Sequence, residues 1–160
     1  MTWELRRATS DDLDAIMAIE NSVFASDAWS PSVMRAELGD QHGYYVVAFR
    51  PDSPGEIEAY AGLHSPLREP QADIQTIAVI ETARRSGLGR VLMQQLIGQA
   101  RQRGATDVFL EVRADNPGAK SLYRSLGFEQ IAVRPKYYQP DGVDAIVMKL
   151  VIAEPRVGVA

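Results

Sequence analysis

The chain has 160 residues, of which 46% are hydrophobic and 24% are charged, a composition that suits one soluble globular domain. It contains no cysteine, which excludes disulfide frameworks, thiol nucleophiles and thiolate metal sites, and its two histidines make a histidine-based metal site unexpected. The formal net charge of −4 argues against general nucleic-acid binding and is compatible with a cationic peptide or amine as partner.

The sequence carries no targeting or membrane signal. Residues 1–7 are not followed by an apolar segment, so they do not predict a signal peptide. No apolar run approaches the length needed to cross a bilayer. We therefore expect a cytoplasmic enzyme that does not bind membranes. We expect a single domain over residues 1–152 and a flexible tail over residues 153–160, and the sequence leaves the oligomeric state open.

The first half of the chain predicts a strand, two helices and three further strands. Asp11 and Asp12 lie in the first turn of the first helix, which Thr9 or Ser10 caps. Pro31 suits the first position of the second helix. The predicted elements are a strand at 3–8, a helix ending at 24, a helix at 31–38 and strands at 44–49, 57–64 and 72–80.

The second half alternates helices and strands. Asn116 caps a helix with Pro117 in its first position, and Gly104 and Gly127 suit the ends of the two helices. The predicted elements are a helix at 88–104, a strand at 107–112, a helix from 117 and strands at 128–134 and 143–150. The order β-α-α-β-β-β-α-β-α-β-β predicts an α/β sandwich with a mixed sheet.

The junction before the long helix reads Arg84-Arg85-Ser86-Gly87-Leu88-Gly89-Arg90. Its two glycines remove Cβ atoms where a helix begins, so that backbone N–H groups can approach a phosphate. Its arginines add charge that pairs with phosphate oxygens. The segment lacks the patterns of the nucleotide P-loop and of the dinucleotide-binding turn. It therefore predicts a different kind of pyrophosphate-binding loop.

Two motifs resemble those of the GCN5-related N-acetyltransferases (GNAT). Arg84-x-x-Gly87-x-Gly89 resembles the loop with which this family binds the pyrophosphate of acetyl-CoA. The segment 110–128, with L-E-V-R-x-x-N followed by A-x-x-L-Y-x-S-L-G-F, resembles the RimI branch. That branch acetylates the α-amino group of the N-terminal alanine of a small-subunit ribosomal protein. The resemblance covers nearly the whole chain and is strongest over 76–148.

The resemblance implies a fold and a set of site residues. The implied GNAT fold has a central mixed, mostly antiparallel sheet of about seven strands, flanked by four helices. Glu111 is expected to be the general base and Tyr123 the general acid, with acetyl-CoA as co-substrate and no metal. The expected contacts with acetyl-CoA are Ile77, Ala78, Val79, Arg84, Arg85, Ser86, Gly87, Leu88, Gly89, Arg90 and Asn116. Trp29, Tyr137 and Tyr138 are expected to shape the slot for the acceptor peptide.

The residue types suit the acetylation of an amine. Attack on a thioester needs a neutral amine, and a protein α-amino group has a pKa of about 7.7–8.0, against about 10.4 for lysine. A weak base such as Glu111 therefore suffices, directly or through a water. The phenol of Tyr123 is protonated at neutral pH and can donate to the departing thiolate. The N–H of Val79 can polarise the thioester carbonyl, and 77–79 can pair with pantetheine amides as a strand does.

Structural interpretations compete with these roles. Glu111 could form a surface pair with Arg113, Tyr123 could be a core aromatic, and Asn116 could be only a helix cap. The absence of cysteine favours direct transfer without an acyl-enzyme. The presence of both Glu111 and Tyr123 argues against a module that only binds acyl-CoA.

Two other functions stay open. The first is an acetyltransferase of small amines or of lysine side chains, and the second is a non-catalytic acyl-CoA-binding sensor. Glu20 and Asp27 could supply negative potential near an incoming amine, although we expect both to be solvated acids.

Overall fold

A computed structural model describes residues 2–153, so the predicted tail lies, apart from its first residue, outside the described residues. The strands are β1 (Glu4–Arg7), β2 (Gly43–Phe49), β3 (Ile57–His64), β4 (Gln71–Val79), β5 (Asp107–Arg113), β6 (Glu129–Tyr138) and β7 (Val143–Val151). The α-helices are α1 (Leu13–Phe24), α2 (Pro31–Leu38), α3 (Leu88–Gln102) and α4 (Pro117–Ser125). Short 3-10 turns cover Ser10–Asp12, Ala25–Asp27 and Glu81–Ala83. None of the helices described for residues 2–153 is both long enough and apolar enough to cross a bilayer.

The strands form one seven-stranded sheet in the order β1-β2-β3-β4-β5-β7-β6. Strands β4 and β5 run parallel, and the other neighbouring pairs in the described sheet are antiparallel. With four α-helices, this confirms the predicted mixed, mostly antiparallel sheet and its helix count. The order of elements along the chain is also the predicted one.

Helices cover both faces of the sheet and bury two separate cores. On β2, Val46 and Ala48 belong to the core under α3 and α4, whereas Tyr45 and Val47 belong to the core under α1 and α2. This alternation follows from the strand geometry, which points successive side chains to opposite faces. The two faces are therefore distinct environments, separated by a single layer of backbone.

A bulge in β4 changes which of its residues face each core. Thr76 pairs with Gly62 and Ile74 pairs with Leu63, so Gln75 has no partner on β3. Ile74 belongs to the α3/α4 core, whereas Ala78 belongs to the α1/α2 core. In a regular strand these two residues would share a face, and one extra residue reverses the pattern. As a result, Ile77 and Val79 pack towards α3 and α4.

Strands β4 and β5 separate soon after they meet. Their pairing begins at Gln71↔Asp107 and ends at Asp73↔Phe109. The rest of each strand, 74–79 and 110–113, is not paired with the other. A gap therefore opens through the sheet towards the carboxyl ends of both strands, and it joins the two faces.

Most element boundaries lie within one or two residues of the predicted ones, and the start of α1 and the end of β6 differ in kind. Thr9 caps the 3-10 turn Ser10–Asp12, in a capping box completed by Asp12, and α1 begins only after that turn. Strand β6 continues beyond the predicted residue 134 to Tyr138, with register shifts and Lys136 at φ 53°. An edge strand tolerates such irregularity, because one of its sides has no ladder to maintain.

Replacing Gly62 with alanine should destabilise the fold by about 1–3 kcal/mol, because it overpacks a closed core. A Cβ at this position would lie 2.2 Å from two ring carbons of Tyr45. The Tyr45 ring cannot easily yield, since it is buried and its hydroxyl donates to Glu37 Oε1 at 3.3 Å. Urea titration of the free energy of unfolding measures the effect. Gly98→Ala is the control, because nothing lies near that Cβ within α3, and it should stabilise by about 0.5–1 kcal/mol.

Candidate active site

The gap between β4 and β5 is the centre of a cleft of 1390 Å3 whose walls come from both faces of the sheet. Leu88 and Leu122 line it from the α3/α4 face, and Phe24 and Trp29 line it from the α1/α2 face. The structure brings to this cleft all of the predicted site residues except Ser86. The Ser86 hydroxyl instead donates to the carbonyl of Ala83 at 2.6 Å. The roles of the residues in the cleft stay predictions.

The turn before α3 presents a run of free backbone amides. The N–H of Arg84 donates to Glu81 O at 3.2 Å, and the N–H of Val91 donates to Gly87 O at 3.1 Å. Within residues 2–153, none of the amides of 85–90 between them has a hydrogen-bond acceptor. Arg85 and Gly87 adopt φ of 61° and 84°, which curls this segment at the start of the helix. Such a run at a helix N-terminus favours a phosphate or another anion.

A glycine and three arginines surround this turn. A Cβ on Gly89 would lie 3.3 Å from Leu122 Cδ2, so glycine allows α3 and α4 to approach closely. The Arg90 guanidinium donates to the Ser125 hydroxyl, and Arg84 Nε donates to Val79 O at 3.1 Å. The side chain of Arg85 has no hydrogen-bond or ion-pair partner among the described residues. The turn therefore offers free amides and one free guanidinium, which fits a diphosphate.

The edge of β4 that faces the gap carries free backbone groups. The N–H of Ile80 donates to Glu58 O on the β3 side at 2.9 Å. Because successive residues of a strand point their backbone groups to opposite sides, those of Ile77 and Val79 point towards the gap. The bond from Arg84 to the Val79 carbonyl agrees with this direction. The Val79 N–H therefore faces the cleft.

Glu111 approaches the gap from the α1/α2 face of the sheet. Its neighbours Leu110 and Val112 pack into the α3/α4 core, so the side chains of Glu111 and Arg113 point to the other face. Glu111 Oε2 lies 3.5 Å from Arg134 Nε, and the Glu111 side chain is 35% exposed. The surface pair with Arg113, considered as the structural alternative, is not formed, because that guanidinium bonds to other carboxylates.

Tyr123 approaches the gap from the opposite face, where it belongs to the α3/α4 core. Its ring packs edge-on against Phe128, with centroids 6.0 Å apart, and the residue is 7% exposed. The end of α4 fixes the backbone of Tyr123, since the N–H of Phe128 donates to Tyr123 O at 3.0 Å. Gly127, at φ 102°, makes the turn that allows this bond. Its hydroxyl has no hydrogen-bond partner among residues 2–153. Burial, together with the nearby Tyr138, raises the pKa of Tyr123 to about 12.

Trp29 and the turn before it form the α1/α2 side of the cleft. The backbone N–H of Trp29 donates to Glu20 Oε2 at 2.8 Å, and the Tyr60 hydroxyl donates to the other oxygen of that carboxylate. Glu20 is only 2% exposed. The expectation that Glu20 and Asp27 are solvated acids is wrong, because Glu20 is buried and Asp27 is bonded to Arg113.

The remaining predicted residues lie at the rim of the cleft. Tyr138 is half-buried and Tyr137 is 48% exposed, with their rings perpendicular and their centroids 5.1 Å apart. Asn116 Oδ1 accepts the N–H of Ala119 at 3.1 Å, so Asn116 is a helix cap that also lines the cleft. Within residues 2–153, no cluster of three or more potential ligand side chains could hold a metal ion.

The sequence did not predict the contacts of Arg113 or the burial of Glu20. The spacing on β5 suggests only Glu111 as a partner of Arg113, whereas its partner Asp27 lies 86 residues earlier in the chain. No local pattern indicates such a pair. For Glu20, its place among the apolar residues of α1 was a usable signal, since Ile16 and Ile19 beside it are buried.

The sequence is similar to those of known proteins. Residues 11–128 match the model of the acetyltransferase (GNAT) family. The N-alpha-acetyltransferase RimI of Mycobacterium tuberculosis is 35% identical over 150 residues, which cover 92% of this chain and 91% of the relative. The [ribosomal protein bS18]-alanine N-acetyltransferase of Escherichia coli K12 is 37% identical over 144 residues, covering 89% and 93% of the two chains.

A solved structure has a similar fold. The crystal structure of the ribosomal-protein-S18-alanine N-acetyltransferase from Escherichia coli superposes with a TM-score of 0.87 and 31% identity, covering 99% of each chain. The family model, the sequence relatives and the solved structure therefore agree on the family. The chain belongs to the GNAT family of acetyltransferases.

Proposed function

We propose that this chain transfers the acetyl group of acetyl-CoA to the α-amino group of a protein N-terminus, most specifically the N-terminal alanine of a small-subunit ribosomal protein. The observation that carries the proposal is the placement of Glu111 and Tyr123 on opposite faces of one gap, beside a turn of free amides. A proton acceptor and a proton donor on the two sides of a thioester suit direct transfer. Relatives with the same activity in their names support the acceptor class.

The α3/α4 face of the cleft fits acetyl-CoA. The amides of 85–90 and the free guanidinium of Arg85 would hold the diphosphate, since a helix N-terminus and a cation both favour negative charge. The exposed backbone of Ile77 and Val79 would pair with the pantetheine amides. Acetyl-CoA supplies an activated acyl group as a thioester. Gly89 lets α4 pack close beside this turn, since a Cβ there would lie 3.3 Å from Leu122 Cδ2.

Three groups of the chain would accept or supply protons or hydrogen bonds during the transfer. Glu111 accepts the proton of the attacking amine, directly or through a water. The N–H of Val79 donates to the carbonyl oxygen as it gains negative charge. Tyr123 donates its proton to the sulfur as the carbon–sulfur bond breaks. Because its pKa is raised to about 12, Tyr123 holds that proton throughout the neutral and mildly alkaline range.

A panel of synthetic peptides tests the acceptor. Peptides that begin with alanine, serine, glycine, methionine or aspartate are incubated with acetyl-CoA, and mass spectrometry locates the added acetyl group. The expected result is acetylation of the N-terminus, fastest with alanine. Two kinds of control acceptor are assayed in parallel: an N-terminally blocked peptide with an internal lysine, and a set of small amines. Faster acetylation of either would contradict the proposal, and the absence of thiol release with every acceptor would indicate a sensor.

Replacing Glu111 with glutamine should slow acetylation about tenfold at pH 7 and much less at pH 9. The amine has a pKa of about 7.7–8.0, so its proton must be removed at the lower pH and is largely gone at the higher one. The ratio of wild-type to variant kcat/KM, measured across this range, should therefore fall as pH rises. Arg134→Gln distinguishes loss of the base from loss of the ion pair with Glu111. A ratio that stays constant with pH would exclude the base role.

A further inference from the structure

Arg113 joins three loops beside the cleft. On the same face of β5 as Glu111, it makes four hydrogen bonds to three carboxylates. Its Nε and Nη2 donate to Asp115 at 3.0 and 3.2 Å, and its Nη1 donates to Asp27 at 2.5 Å. Nη2 also donates to Asp141. The three acids come from the turn between α1 and α2, the loop between β5 and α4, and the loop between β6 and β7.

Two of these loops contain or adjoin the residues predicted to shape the acceptor slot. Trp29 follows Asp27 by two residues, and Tyr138 precedes the turn that contains Asp141. The Tyr138 ring also lies against the guanidinium, with its centroid 5.0 Å from Arg113 Cζ. The Arg113 side chain is only 23% exposed. One planar, largely covered group therefore sets the spacing between the two sides of the slot.

We propose that Arg113 is a positioning residue for the acceptor: it holds the loops of Asp27, Asp115 and Asp141 at the separation at which an incoming amine meets Glu111. It does not contact the reacting atoms, since its donors point to the three carboxylates. The proposal rests on the proposed function, because it concerns the acceptor side of the same site. A displacement of about 1 Å between these loops is enough to reduce turnover strongly.

Removing Arg113 changes the charge of the rim as well as the positions of the loops, and these two effects shift the peptide KM in opposite directions. The three carboxylates outnumber their single cation, so removal of the cation makes the rim more negative. A more negative rim should attract a cationic peptide more strongly and lower its KM. Loss of positioning should instead raise that KM. The sign of the change distinguishes the two effects.

Arg113→Gln and Arg113→Lys, assayed with the alanine peptide, test the proposal. In Arg113→Gln we expect the peptide KM to rise about tenfold, kcat to fall several-fold and the KM for acetyl-CoA to change less than twofold. Arg113→Lys should resemble Arg113→Gln, because an ammonium keeps the charge but cannot bridge three carboxylates as a planar guanidinium does. Arg101→Gln, at an exposed position of α3, is the control for loss of an arginine, and circular dichroism checks the fold.

A double-mutant cycle with Asp27→Asn adds a second test. If the two residues act through one contact, Asp27→Asn should raise the peptide KM in the wild type and add little in Arg113→Gln. An unchanged or lower peptide KM in Arg113→Gln would overturn the positioning role and leave the proposed function intact. An equal loss for both substrates would also overturn it. A wild type that acetylates no peptide would overturn both proposals.

Discussion

Replacing Tyr123 with phenylalanine is expected to lower kcat about 100-fold while leaving the affinity for acetyl-CoA within about twofold. The change removes a single oxygen atom. The ring would still pack against Phe128, and the helix-end hydrogen bond uses the Tyr123 carbonyl rather than the hydroxyl. Because the hydroxyl has no partner among residues 2–153, its removal breaks no described contact. A large loss of turnover would therefore report the transfer step itself.

The measurement is kcat with saturating peptide, monitored through release of the CoA thiol. Tyr44→Phe is the matched control, since the Tyr44 hydroxyl accepts a hydrogen bond from Gln95 at 2.9 Å on an exposed surface outside the cleft. That variant should retain the wild-type kcat. If Tyr123→Phe also retains it, the residue is only a core aromatic and the proposed proton donor is wrong.

The pH dependence of the wild-type kcat provides an independent check. A proton donor is active only while it holds its proton, so its loss appears as a fall in rate above its pKa. An ordinary tyrosine, with a pKa near 10, would begin to lose activity at about pH 9. The pKa of Tyr123 is raised to about 12, so the kcat profile should stay level to about pH 10.5. A fall centred near pH 9 to 10 would contradict this assignment.

Local signals in the sequence were sufficient to predict the elements. Helix α4 shows why, because Asn116, Pro117 and Gly127 are read from their neighbours alone and mark both of its ends. The amide-lined turn also has a local signal, since Gly87 directly precedes α3 and Gly89 lies in its first turn. The motifs also indicated which residues meet in the cleft, with Ser86 as the exception.

Features that depend on distant pairing could not be predicted. The bulge at Gln75 and the separation of β4 from β5 arise from how three strands meet, and neither has a local signature. The bond between Asp27 and Arg113 joins residues 86 positions apart. The burial of Glu20 had a local signal in its apolar neighbours, but its donors Trp29 and Tyr60 are brought to it only by the folded chain. The sequence therefore predicted which residues form the site better than it predicted the contacts that position them.

Replacing Gly89 with glutamate should raise the KM for acetyl-CoA about 100-fold. Two like charges about 5 Å apart, at an effective dielectric constant of about 20, repel each other by about 3 kcal/mol. That energy corresponds to a factor of about 100 in affinity. The new carboxylate would stand beside the free amides of 85–90, where we propose that the diphosphate binds. It would also crowd Leu122, since a Cβ at this position lies 3.3 Å from its Cδ2.

Two further variants, a salt series and a truncated substrate separate the effect of charge from the effect of crowding in this variant. Gly89→Ala adds only the Cβ and should change the KM less than threefold, and Gly89→Gln should have an intermediate effect, because it has the size of glutamate without its charge. Higher salt should partly restore Gly89→Glu but not Gly89→Gln, since ions screen the repulsion. S-acetylpantetheine, which has the thioester but no diphosphate, should be used equally well by Gly89→Glu and Gly89→Gln. Equal losses with acetyl-CoA in these two variants, at any salt concentration, would mean that the amide-lined turn does not hold the diphosphate.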